Sequence, residues 1–86
     1  MEQPKELSFI IEGLDLENTP EEEVRKIFNE ELKKYGYQLI DETAVIRANK
    51  ISSMRGLDIN NHEEVEMYVF AKQLPQNKVF FSIKIL

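Results

Sequence analysis

A small α+β domain of βαβββ type is predicted, with one amphipathic helix packed on a mostly antiparallel four-stranded sheet. Three observations predict it. An apolar run, Phe9-Ile10-Ile11, reads as a strand, and a helix start at Asn18–Glu22 leads into an apolar stripe. In the C-terminal third, apolar side chains alternate with polar ones on both sides of a turn. The 86 residues, 42% of them hydrophobic, suffice for one core and leave little apolar surface for a deep pocket. Residues 1–86 are therefore read as a single domain.

Residues 1–6 are polar, include Pro4 and show no periodicity, so they read as a flexible N-terminus. Leu7 to Leu14 reads as a buried strand that ends at Gly13. Next, Thr19 is placed to cap a helix, Pro20 fits the first helical position, and Glu22 lies three residues after Thr19. Val24, Ile27, Phe28, Leu32 and Tyr35 then recur at three- and four-residue intervals, and Gly36 supplies the left-handed residue that stops the helix. Outside that stripe, Glu22 with Lys26 and Glu30 with Lys34 are spaced as i,i+4 ion pairs.

Tyr37–Ile40 and Ala44–Ala48 are strand-like, joined by Asp41-Glu42-Thr43 as either a tight turn or a bulge. Residues 49–61, with two serines, a glycine, two asparagines and an aspartate after Asn49, read as a long loop. Glu64–Lys72 and Lys78–Leu86 are expected to form a hairpin with paired residue numbers summing to 150, which puts Val65, Met67, Val69 and Ala71 opposite Ile85, Ile83, Phe81 and Val79. The reverse face would pair Glu66 with Lys84, Tyr68 with Ser82 and Phe70 with Phe80, and Lys72 would oppose Lys78 near a turn over 73–77. A helix from His62 to Leu74, capped by Asn61 and stopped by Pro75, is the competing reading. The Met67–Ala71 run disfavours it, because it would be apolar all round a helix and is rich in strand formers.

Charge is distributed unevenly. The net −5 arises wholly in residues 1–34, since residues 35–86 hold equal numbers of acids and bases. Glu12, Asp15, Glu17, Glu21, Glu22 and Glu23 form a window without a base, which repels phosphate and attracts basic surfaces. The last three also complement the positive end of a helix, so they need no partner to account for them.

Groups for catalysis are scarce. His62 is the sole histidine, flanked by Glu63 and Glu64, and reads as a solvated turn residue. Asp15-Leu16-Glu17-Asn18 resembles a fragment of a cation loop but lacks the glycine and the later glutamate such loops use. No glycine-rich phosphate loop and no cysteine is present. The expectation is a protein that is not an enzyme, with no cofactor and no metal. No apolar run approaches a membrane span and the first residues do not read as a signal peptide, so a cytoplasmic location is expected.

Tyr68, Phe70 and Phe80 beside Lys72, Lys78 and Lys84 would suit base stacking. In topology alone, the strand-helix-strand opening and four-stranded sheet resemble RNA-recognition domains and small ribosome-binding hibernation factors. Against that, Met54-Arg55-Gly56-Leu57 lacks the aromatics of an RNA-recognition signature, and the acidic surplus has the wrong sign for phosphate. The favoured expectation is a small acidic interaction module, a regulator or inhibitor that binds a basic surface of a larger protein. Its partner-binding residues would be Glu12, Asp15, Glu17, Glu21, Glu22, Glu23, Tyr68, Phe70 and Phe80. A second copy, docked through a sheet face or edge, is a further candidate partner. The alternative is an RNA- or ribosome-binding domain that uses the aromatics with Lys50 and Arg55.

Overall fold

Alternation of buried and exposed side chains along the strands decides which face of the sheet becomes the core. The computed structural model describes residues 5–86. Its elements are β1 (Glu6–Glu12), α1 (Glu21–Lys33), β2 (Tyr37–Leu39), β3 (Lys50–Asp58), β4 (Glu63–Leu74) and β5 (Lys78–Ile85). The class is α+β as predicted, with five strands instead of four in the order β1-β5-β4-β3-β2, every neighbouring pair antiparallel. Four successive antiparallel pairings give β1 and β2 the same direction at opposite edges. The chain therefore crosses the sheet once, through α1.

The C-terminal hairpin forms, and the competing helix over 62–74 does not. Its register is displaced by two residues from the predicted one: Met67, Val69 and Ala71 face Ile85, Ile83 and Phe81. A shift of two keeps side-chain parity, so these six residues are still buried together. On the reverse face the partners change, with Tyr68 across from Lys84, Phe70 from Ser82 and Lys72 from Phe80. The expected Lys72–Lys78 opposition is thereby removed. Leu74 pairs with Lys78, and the turn shortens to Pro75-Gln76-Asn77 because Gln76 and Asn77 both take positive φ, 65° and 55°. Val65 is only partly buried and lies opposite Gly56.

Residues 50–58 are a strand and not a loop. Met54, Gly56 and Asp58 point inward, while Ile51, Ser53 and Arg55 point outward. The long irregular connection lies instead at 40–49. Ala44 and Ile46 still enter the core but pair with no strand, and Ala48 makes only an isolated bridge to Ala71. Asp41 resolves the turn-or-bulge alternative in favour of a turn, since its Oδ1 accepts from the backbone N and the hydroxyl of Thr43. Arg25 Nη1 donates to Ala44 O at 2.8 Å and ties this connection to the helix.

α1 buries Val24, Phe28 and Leu32, with Ile27 and Tyr35 packed at the margin. Phe28 meets Phe81 at a ring-centroid distance of 5.0 Å, and Phe9 stacks on Tyr35 at 5.4 Å. These contacts fix the helix on the face made by the odd-numbered residues of β1, β4 and β5. The Thr19 cap is absent. Pro20 itself occupies the N-cap with no side-chain bond, while Thr19 N donates to Asp15 O. The helix ion pairs form at i,i+3, Lys33 with Glu30 and Lys34 with Glu31, and not at the i,i+4 spacing expected.

At the N-terminus, Glu6 already belongs to β1, so the predicted flexible segment is too long; its first four positions lie outside the described residues. Ile10 also departs from the buried reading: Leu7, Phe9 and Ile11 point into the core and Ile10 is 52% exposed. Three apolar residues in a row cannot all face one side of a strand.

Candidate interaction surface

The side of the sheet away from α1 is built from the even-numbered residues of β1, β4 and β5 and the odd-numbered residues of β3. Ile10 lies directly across from Phe80, and Phe70 directly across from Ile51. Phe80 and Phe70 are diagonal neighbours, because Phe80 faces Lys72 and Phe70 faces Ser82. An apolar diagonal, Ile10–Phe80–Phe70–Ile51, therefore crosses four strands, with Tyr68 beside it. Ile51 is 71% exposed, Ile10 52% and Tyr68 39%, and no element among the described residues covers them. Both isoleucines escaped the sequence reading, Ile10 because it sits in an apolar run and Ile51 because it sits in a segment read as loop.

Charges frame this diagonal in pairs. Lys78 is 3.5 Å from Glu12, Lys84 is 4.0 Å from Glu6, and Arg55 is 3.5 Å from Glu64. The Ser53 hydroxyl donates to the Glu66 carboxylate. Glu6, Glu12, Glu64 and Glu66 thus balance Lys72, Lys78, Lys84 and Arg55. The outer face is close to neutral, and the net negative charge resides elsewhere.

The residues expected to form one acidic site are divided by the fold. Glu12 lies on the outer face, paired with Lys78. Glu21, Glu22 and Glu23 form the exposed first turn of α1, on the opposite layer. Asp15 serves the loop between them: its Oδ1 accepts from Glu17 N at 3.0 Å and its Oδ2 from Asn18 Nδ2 at 2.7 Å. The Asn18 bond, with backbone N–H groups behind it, holds the Asp15 carboxyl below its ordinary value. Glu17 is exposed on the same loop. Tyr68, Phe70 and Phe80 do come together, and only Glu12 of the acidic set joins them. Lys50 and Arg55, the bases of the nucleic-acid reading, point to opposite faces of β3.

No family model, curated protein or solved structure matches this chain. Among the described residues the strand-helix-strand opening is kept, while the sheet has five strands where the topological resemblance implied four.

Elsewhere the polar groups serve the scaffold. Gln73 accepts from Leu16 N at 2.8 Å and donates to Leu14 O and Lys78 O at 3.1 and 3.0 Å, tying the loop after β1 to the hairpin. Asp58 is buried and accepts from the backbone N of Asn60 and Asn61 and from Asn61 Nδ2, which shapes the β3–β4 turn. Burial, and secondarily the Asp58 charge, push the Tyr37 phenol above its ordinary pKa. His62 is exposed in that turn with φ 55°. A cleft of about 510 Å³ lies between α1 and the 40–42 segment, but its Arg25 and Asn29 already bond the backbone of Ala44 and Leu39. Among the described residues no cluster of three metal-ligating side chains exists, and no helix is long and apolar enough to cross a membrane.

Proposed function

We propose that this chain is a non-enzymatic interaction module that docks onto a larger protein through the outer face of its sheet. The observation that carries the reading is the apolar diagonal Ile10–Phe80–Phe70–Ile51 with Tyr68, on a face no described element covers. Aromatic side chains surrounded by paired charges match the pattern of an interface core within a polar rim. The role suggested is that of a regulator or inhibitor, which acts by occupying a surface and needs no reacting group of its own. Its partner would be basic overall. A net charge of −5 speeds encounter with such a partner, and the acids of α1 and the preceding loop act there by steering and not by contact.

The test is affinity capture from the native host, with nuclease-treated and untreated lysates compared and three baits used: the unmodified chain, Phe70→Lys, and a triple charge reversal at Glu21, Glu22 and Glu23. The reading expects a protein retained through nuclease treatment, lost with Phe70→Lys, and held by the triple variant with slower association at low salt. Retention of RNA that falls steeply with salt would replace it with the nucleic-acid reading. A partner lost with the triple variant and kept by Phe70→Lys would place the contact on the helix.

A further inference from the structure

The two edges of the sheet are treated differently. In β2, the Ile40 N to Arg55 O and Ile59 N to Gly36 O bonds put the even-numbered positions in register with β3, so the backbone of Tyr37 and Leu39 faces outward. There α1 closes the edge, since Asn29 Oδ1 accepts the outward Leu39 N–H at 2.8 Å. In β1, Ile85 N donates to Lys5 O, so the odd-numbered residues bond β5 and the backbone of Glu6, Ser8, Ile10 and Glu12 faces outward. Nothing among the described residues pairs with those groups. An edge strand of seven residues that carries an exposed isoleucine is a template for another strand.

The geometry points to a second copy of this chain as the occupant, with β1 pairing antiparallel to β1 of the copy across a two-fold axis. Antiparallel strands are related by a two-fold, so one edge can pair with itself. The outward row permits three well-overlapped registers. One centred on Phe9 places Glu6 opposite Glu12 twice, two like-charge pairs. One centred on Ser8 places Glu6 opposite Ile10 twice, a carboxylate against an apolar side chain. The register centred on Ile10 places Ile10 against Ile10 and Ser8 against Glu12, where the hydroxyl can donate to the carboxylate, and opposes no two acids. It also brings the apolar diagonals of both copies end to end, Ile51–Phe70–Phe80–Ile10 meeting its two-fold mate, on one ten-stranded sheet. Charge and apolar continuity select this register. The inference goes beyond the docking reading and does not depend on the larger partner.

Sedimentation of the full chain from micromolar to millimolar concentration, together with amide exchange, tests it. The expected result is a concentration-dependent dimer in which the amides of Ser8, Ile10 and Glu12 slow as concentration rises. Ile10→Pro removes an N–H that the monomer leaves unused, and should give a monomer with unchanged circular dichroism. Ile10→Lys sets two ammonium groups at the axis and should also give a monomer; it serves if the proline variant fails to fold. A wild-type chain that stays monomeric at millimolar concentration overturns the inference, as does a dimer that survives Ile10→Lys or leaves those three amides unprotected.

Discussion

The Met67 side chain reaches diagonally over Gly56, so closely that a Cβ at position 56 would stand 2.7 Å from Met67 Cε and 2.8 Å from its Sδ. On the other side the Gln38 carbonyl oxygen would be 3.1 Å away. The glycine gives the fully buried Met67 side chain the room it occupies between β2 and β4. Gly56→Val should therefore destabilise the domain by about 1–3 kcal/mol, the ordinary cost of overpacking. Urea denaturation measures it, and paired replacement of Met67 by alanine should recover part of the loss.

Gln73 joins the loop after β1 to the hairpin through three backbone groups. Gln73→Leu leaves the Leu16 N–H and the Leu14 carbonyl without that partner in a half-buried place. The expected loss is about 1–3 kcal/mol, read from the urea midpoint. Gln73→Glu should cost more, since a carboxylate accepts from Leu16 N but repels the two carbonyls.

Thr19→Ala should change stability by no more than about 0.5 kcal/mol, because α1 takes no side-chain cap from Thr19. A loss near the roughly 1 kcal/mol of a working cap would show that the hydroxyl bonds the helix.

At alkaline pH the domain should weaken through Tyr37. Its phenol has a raised pKa in the folded state, so the contribution is fully present below the unfolded value near 10 and is lost as pH rises through the folded one. Urea midpoints of wild type and Tyr37→Phe should fall differently above that value, the wild type more steeply.

Asp41 gives the opposite sign. Hydrogen bonds from Thr43, side chain first and then backbone, lower its pKa. Its contribution is present above the unfolded carboxyl value and lost as pH falls through the folded one. The melting temperatures of wild type and Asp41→Ala should accordingly converge on acidification below about pH 4.

Much of the sheet was legible in the sequence because a strand's period of two fixes which side chains share a face. Parity placed Met67, Val69, Phe81 and Ile83 together although the register was off by two. The turn length could not be read, because only the structure reveals that both Gln76 and Asn77 adopt positive φ. β3 was illegible for a different reason. Its inward positions include a glycine demanded by Met67 and an aspartate bonded to its own turn, and neither carries a hydrophobic signal. The aromatic half of the candidate surface was therefore visible, while Ile10 and Ile51 were not. The acidic half looked continuous along the chain, yet it is split in space because β1 and α1 lie on different layers.

The central claim, that contact is made by the outer face of the sheet, is tested most directly by titrating the captured partner into isotope-labelled chain and following backbone and methyl NMR signals. The account predicts shifts and broadening at Ile10, Ile51, Tyr68, Phe70 and Phe80, with Glu21–Glu23 little changed. Perturbation confined to Asp15–Glu23, with those five residues silent, would contradict it.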